Sequence, residues 1–276
     1  MHIDAHQHYW DPARGDYGWL TADLTQLYRP FGPADLAPLR ERAGVQRTVV
    51  VQAAPTVEET RYLLKLARDE ASIAGVVGWV PMLSGDAPHL IAELAREPKF
   101  KGIRPMLQDL PDDAWIANPA LAPAVEALIA HDLAFDALIF TRHVNAFETF
   151  ATRFPALRIV IDHASKPPIR DGQAGWQSWA DAVPRLARLS HVHCKLSGLA
   201  TEAAPAWTEA TLQPYVDHLL QSFGPARLMW GSDWPVLDLN GDYLLWHSVA
   251  NTLLAALSDA QREAVFGANA AAFYRL

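Results

Sequence analysis

The residue types best suited to chemistry sit at the two ends of the chain, in His6-Gln7-His8 and in Gly231-Ser232-Asp233-Trp234-Pro235. Side chains alternate across an extended strand with a period of two, so His6 and His8 share a face and their imidazoles can converge on one atom. Asp233 stands where an apolar run gives way to a Trp-Pro turn, the position from which strand-end groups act in parallel barrels. A third histidine, His163, closes Ile161-Asp162-His163. Together these groups suit hydrolysis: a carboxylate can take a proton from water while imidazoles polarise a carbonyl.

Short β-rich runs alternate with longer helical patterns, the arrangement that yields βαβ units and a parallel sheet. Strands are predicted at residues 3–5, 48–52, 75–80, 102–106, 134–139, 158–162, 192–196 and 227–231, the number that closes a barrel. Helix starts are readable where Thr56 precedes Glu59, at Asn118-Pro119, and where Ser258 precedes Gln261. The stretches 10–32, 108–118 and 166–176 lack periodicity and carry Pro, Trp or Gly, so they are expected to be loops on the strand-to-helix side, where they can wall a pocket.

Read at the strand ends, the polar residues are His6, His8, Gln52, Arg104, Asp136, His163, Lys195 and Asp233. Gln52, Arg104, Asp136 and Lys195 are expected to orient substrate oxygens, with an Arg104 or Lys195 ion pair to Asp136 as the plainer alternative. Trp10, Trp115 and Trp234 follow strand ends, where an indole face can stack on a sugar-like ring. Asp4 and His193 share the alternation of His6 and Lys195 and are expected in a structural polar layer deeper in the barrel. The remaining histidines, His2, His89, His131, His143, His191, His218 and His247, are expected at the surface or at helix ends.

The 276 residues suit one α/β barrel, and a single domain over 1–276 is expected. Half the residues are hydrophobic and a fifth are charged, enough for a packed core. A net charge of −8 provides no basic field for nucleic acid or anionic lipid, which points to a small-molecule partner. Cys194 is the single cysteine, so no intrachain disulfide forms and it reads as core filler. No signal-peptide pattern and no long apolar stretch is present, and a cytoplasmic location is expected. Ser197 and Ser232 lack the Gly-x-Ser-x-Gly elbow, and no phosphate-cradling or dinucleotide loop follows the first strand, which disfavours nucleophilic and redox chemistry.

Five segments carry a family resemblance: Ile3-Asp4-Ala5-His6-Gln7-His8-Tyr9-Trp10, Lys101-Gly102-Ile103-Arg104-Pro105, Asp162-His163 with Lys166-Pro167, Lys195-Leu196-Ser197-Gly198 and Gly231-Ser232-Asp233-Trp234-Pro235. Over nearly its whole length the chain resembles the amidohydrolase superfamily, in particular its sugar-lactonase branch of L-fuconolactonase-like and L-rhamnonolactonase-like proteins, related to pyrone dicarboxylate lactonases. The resemblance implies a distorted (β/α)8 TIM barrel of the amidohydrolase type. It also implies that His6 and His8 are the first-strand pair, His163 the sixth-strand histidine and Asp233 the eighth-strand acid that activates water.

Two departures bear on metal. Where binuclear relatives place a bridging carboxylate or carboxylated lysine after the fourth strand, this chain has Arg104, which cannot ligate. Where mononuclear relatives have a fifth-strand histidine, it has Asp136. His6, His8 and Asp233 could hold a zinc or manganese ion, with Asp136 as a further oxygen ligand, but no cofactor is expected to be required.

The expectation from sequence is a hydrolase of carboxylic (lactone) ester bonds, opening L-fuconolactone or a related aldonolactone in carbohydrate catabolism. Asp233 would activate water and His6, His8 and His163 would polarise the carbonyl. The alternatives are a metal-dependent decarboxylase of the same superfamily and a non-catalytic sugar-acid binding protein. Oligomeric state is left open.

Overall fold

A computed structural model describes all residues, 1–276. Its eight strands are β1 (His2–Gln7), β2 (Val45–Val51), β3 (Ile73–Gly78), β4 (Phe100–Ile103), β5 (Ala134–Ala137), β6 (Arg158–Ile161), β7 (Val192–Leu196) and β8 (Leu228–Trp230). Each pairs in parallel with the next, in the order β1 to β8. Between β8 and β1 the sheet is joined by an isolated parallel bridge, Gln7 to Trp234, with His8 N donating to Trp234 O and Asp233 N donating to His6 O, both at 2.8 Å. The architecture is a (β/α)8 barrel.

The helices that cover the strands include α1 (Pro33–Arg42), α2 (Val57–Asp69), α3 (Ala87–Leu94), α4 (Ala122–Ala130), α5 (Val144–Arg153), α6 (Gln173–Ala187), α7 (Leu199–Glu202), α8 (Glu209–Phe223), α9 (Tyr243–Leu253), α10 (Asp259–Glu263) and α11 (Asn269–Tyr274). Their starts follow local chemistry. Thr56 caps α2 by accepting from Glu59 N, and Ser258 with Gln261 forms a capping box at α10. Asn118 accepts from Ala120 N and opens a single 3-10 turn that leads into α4. None of the helices is long and apolar enough to cross a membrane.

The eight predicted strands all form, but several end earlier than their apolar runs. The chain leaves β3 at Gly78, β4 at Ile103 and β5 at Ala137, and the apolar residues beyond become loop wall. Pro105 has no N–H to continue the ladder after Arg104 N donates to Gly78 O at 2.8 Å.

Two packing layers result. A large outer core lies between strands and helices, and a smaller one fills the lower barrel with Ile3, Ala5, Val49, Val51, Val77, Ala134, Val160 and Met229, closed from below by Phe273 and Tyr274. Ile3 and Ala5 belong to that inner layer, yet His6 and His8 also face inward; the register of β1 against β2 slips between Asp4 and Gln7. This bulge shifts the alternation by one residue. Asp4 therefore does not share the inward face of His6, contrary to the polar layer expected from a strict period of two. It accepts instead from Ser232 N at 2.9 Å and His6 N at 3.1 Å. His193 sits low in the barrel beside Phe273, with ring centroids 4.9 Å apart.

Candidate active site

At the C-terminal mouth of the barrel a cavity of about 160 Å³ is lined by His8, Arg104, His163, Lys166 and Asp233, with Trp19, Met106 and Leu138 among its walls. Asp233 is held there by the barrel-closing hydrogen bonds, in the left-handed region at φ 60°. His163, Ala164, Ser165 and Lys166 also have positive φ, from 50° to 61°. This turn is braced by Lys166 N donating to His163 O and by Trp179 Nε1 donating to Ala164 O, both at 2.7 Å. Left-handed backbone at non-glycine residues costs about 1–2 kcal/mol each, and it is concentrated here around one cavity.

Three ligand-type atoms converge. His6 Nε2 and His8 Nε2 are 3.2 Å apart, His8 Nε2 is 3.3 Å from Asp233 Oδ1, and His6 Nε2 is 3.7 Å from the same oxygen. Donors about 2.0–2.1 Å from a tetrahedral zinc ion lie roughly 3.3 Å from one another, so the triangle fits such an ion. The protonation pattern agrees. His8 Nδ1 donates to Val51 O at 2.8 Å, so the neutral ring would turn a lone pair on Nε2 toward Asp233 Oδ1, where an ion could take the place of a proton. For His6, Asp162 Oδ1 at 3.3 Å can accept Nδ1–H, which frees Nε2 for an ion; Lys195 Nζ at 3.0 Å donates to Nδ1 in the other tautomer.

Burial opposes the charge of Asp233, but His163, His8 and His6 around it hold its carboxyl below the usual range. Burial lowers His163 to about 4, against the pull of Asp233, and burial together with Lys195 takes His6 well below the ordinary imidazole value. Both rings are therefore neutral near pH 7. His163 Nδ1 lies 2.9 Å from Ser197 Oγ and its Nε2 is 3.7 Å from Asp233 Oδ1.

Beneath His6 lies an ionic layer with no solvent exposure. Lys195 Nζ donates to Asp136 Oδ2 at 2.5 Å and contacts Asp162 Oδ1 at 2.9 Å, and Tyr274 of α11 donates to Asp136 at 2.7 Å. Burial raises Asp136 to about 6 even with Lys195 beside it. Burial also disfavours ionised Asp162, yet Lys195, His6 and Arg104 keep it well below the carboxylate range.

These positions revise several expectations. Asp136 and Lys195 do not reach the cavity; they pair with each other under His6, so Asp136 is not placed to ligate an ion in the triangle. Gln52 is buried, its Nε2 donating to Arg104 O at 2.7 Å, and it supports the Arg104 backbone from behind. Arg104 does line the cavity, with Nη1 3.5 Å from both His6 Nε2 and Asp162 Oδ2 and Nη2 donating to Gln52 O. Of the tryptophans, Trp10 is fully buried, its Nε1 donating to Leu27 O and Arg29 O at 3.1 Å, because the 10–32 loop folds over it. Trp234 is buried against Tyr9 and Phe31. Trp115 lines a neighbouring cavity. His143, buried with Nδ1 accepting from Phe140 N at 2.9 Å, stands at the start of α5.

Residues to which the sequence assigned no part in the chemistry complete the site. Trp19 and Lys166 line the cavity, Ser197 meets His163, and Asp162 faces His6, Lys195 and Arg104. Asp162 could have been found from its place beside His163 at a strand end; Trp19, deep in an aperiodic loop, leaves no such signal.

The sequence pattern of the amidohydrolase family matches residues 3–276. An L-fucono-1,5-lactonase of Burkholderia ambifaria is 54% identical over 278 residues, covering 99% of this chain and 95% of that protein. An L-fucono-1,5-lactonase of Burkholderia multivorans is 38% identical, covering 100% of this chain and 96% of that protein. A crystal structure of an amidohydrolase from Burkholderia multivorans with bound zinc superposes with a TM-score of 0.95 at 38% identity, covering 100% of this chain and 99% of the other. With its barrel, its first-strand histidine pair and its last-strand aspartate in place, the chain belongs to the amidohydrolase family.

Proposed function

We propose that the protein hydrolyses a small sugar-derived lactone, L-fucono-1,5-lactone or a related aldonolactone, to the open sugar acid. The observation that carries this reading is the convergence of Asp233 with His6, His8 and His163 at a cavity that also presents Arg104 and Lys166, in a chain 54% identical to an L-fucono-1,5-lactonase.

In this proposal Asp233 takes the proton of the attacking water as its oxygen bonds to the lactone carbonyl carbon. Arg104 Nη1 and, when Ser197 donates to Nδ1, the Nε2–H of His163 face the oxyanion. The ring C–O bond then breaks, and Asp233 returns the proton to the leaving alkoxide. The carboxylate product meets two cations, Arg104 and Lys166. His8 takes a different part from the oxyanion donor expected from sequence, because its Nδ1–H is committed to Val51 O and its Nε2 faces Asp233 Oδ1 at 3.3 Å.

His6, His8 and Asp233 would hold a zinc or manganese ion, which when bound supplies a Lewis acid and lowers the pKa of water. Hydrolysis is expected to persist, more slowly, after chelation, since Arg104 and His163 would still face the carbonyl. The lone cysteine, Cys194, is free and buried, compatible with work in the cytoplasm.

A pH-stat assay of the purified protein on L-fucono-1,5-lactone, before and after chelation, tests the reading. Acid release well above the spontaneous rate is expected in both states. No catalysed release from this or other aldonolactones with metal supplied would overturn the function, and complete loss on chelation would make the ion obligatory.

A further inference from the structure

The cavity at Asp233 adjoins a second and larger one. The neighbour has a volume of about 640 Å³ against about 160 Å³, and Trp19, Met106 and Asp109 line both. Trp19 is fixed in that shared wall: its Nε1 donates to Ala53 O at 2.7 Å, and Trp10 meets its ring edge-on at 5.3 Å. On the far side stand Trp79, Met82 and Leu83 from the loop after β3 and Trp115 from the loop after β4. Every contributing segment follows one of the strands β1 to β4, so the two cavities open on the same mouth.

Their chemistry differs. The catalytic cavity is ringed by ionisable side chains, whereas the second presents indole faces, proline and aliphatic groups, with Asp16, Ser84 and Asp109 its only hydroxyl or carboxylate side chains. Asp16 accepts through Oδ2 from Arg14 Nη2 at 2.8 Å and Thr56 Oγ1 at 3.1 Å, and its buried Oδ1 is left without a partner. A polyhydroxylated ring seated there would leave most of its hydroxyls without partners, while an alkyl or aryl group would exchange water for the tryptophan faces. Small-molecule sites commonly span about 300–1,000 Å³, a range that the catalytic cavity alone does not reach and its neighbour does.

We infer that the second cavity is a substrate subsite for an apolar alkyl or aryl substituent carried by the lactone ring. The inference rests on the lactonase reading of the adjoining site, and it widens the substrate class from sugar lactones to δ-lactones bearing an apolar side chain.

Hydrolysis of δ-valerolactone, its 5-pentyl derivative and L-fucono-1,5-lactone is compared in the wild type, Trp79→Ala and Leu83→Ser, with binding of the first two measured by calorimetry. Neither substituted residue touches the catalytic cavity. Since each buried methylene changes an equilibrium about fourfold, a partly buried pentyl chain should raise kcat/KM at least about tenfold over the parent lactone. Both variants should close that gap to about twofold and leave L-fucono-1,5-lactone hydrolysis within about twofold of wild type.

Equal kcat/KM for the parent and pentyl lactones with L-fucono-1,5-lactone still hydrolysed would overturn the subsite and spare the lactonase reading. A gap unchanged in both variants, preference for a glycosyl-extended aldonolactone over the pentyl compound, or a dimer dispersed by Leu83→Ser with equal kcat/KM would also overturn it. If no lactone is hydrolysed, the lactonase reading fails separately; tighter binding of the pentyl lactone that is lost in Trp79→Ala then supports the apolar site, and equal binding overturns it.

Discussion

The backbone N–H of Asp233 donates to the carbonyl of His6 at 2.8 Å, and the same two residues meet again through their side chains, His6 Nε2 to Asp233 Oδ1 at 3.7 Å. Barrel closure and site assembly are thus one event. The hydrogen bonds that join the last strand to the first also set the distance between the acid and the imidazoles, so a small disturbance of the seam is felt directly at the site.

Replacing Asp233 with Asn removes the proton acceptor while conserving shape. Lactone hydrolysis should fall by about 10²–10⁴-fold, the usual worth of a positioned general acid-base group, with the circular dichroism spectrum retained. Near-normal turnover by the folded variant would exclude Asp233 from proton transfer.

Gly231 tests the seam. A Cβ there would lie 2.7 Å from His6 Cβ and 3.1 Å from His6 N, so Gly231→Ala must push β1 away from β8. Misplacement by a fraction of an ångström to one ångström should lower kcat/KM by about 10–100-fold, with a stability loss of about 1–3 kcal/mol in urea titration. Wild-type kinetics would show that the seam tolerates the extra methyl.

Lys195 holds two buried carboxylates. Lys195→Met leaves Asp136 and Asp162 facing each other without their ammonium, which should cost about 3–5 kcal/mol in chemical denaturation near neutral pH. Adding Asp136→Asn should restore part of that loss, since one of the uncompensated charges is gone. Additive effects of the two changes would argue against their coupling.

Glu59 gives a pH dependence away from the site. Burial pushes its carboxyl up to about 8, although Ala53 N and Ala54 N donate to it at 2.8–3.1 Å. A carboxyl whose folded value exceeds its unfolded value of about 4.5 is protonated in the fold where the unfolded chain has released the proton. Its contribution is therefore full below pH 4.5 and declines as pH rises through about 8, by about 1 kcal/mol per pH unit. Stability of the wild type relative to Glu59→Gln, measured by denaturation from pH 5 to 8, should fall with rising pH; parallel curves would show that the amide donors keep Glu59 ionised.

Much of the architecture was legible because it is written in local pattern. Eight β-rich runs, each followed by helix or loop signals, define the barrel, and polar residues ending apolar strands mark its active mouth. Thr56, Asn118 and Ser258 all act as caps, as residues of their kinds do before a helix. The tryptophans were not legible in the same way. Trp10, Trp115 and Trp234 each follow a strand, as a stacking residue would, yet two are sealed under the 10–32 loop and one lies in the adjoining cavity, while Trp19 from within that loop reaches the site.

The sequence by itself determined the kind of chemistry available and the strands that carry it, since residue type and a period of two or 3.6 are properties of neighbours along the chain. Tertiary structure alone decided which polar strand-end groups meet the cavity. Asp136 and Lys195 lie within β5 and β7 and pair with each other below the cavity that Arg104, His163 and Asp233 line from beyond the ends of their strands, whereas a bulge after Asp4 turns both His6 and His8 inward. Where a strand ends and where its register slips are decided by long-range pairing, to which local pattern is blind.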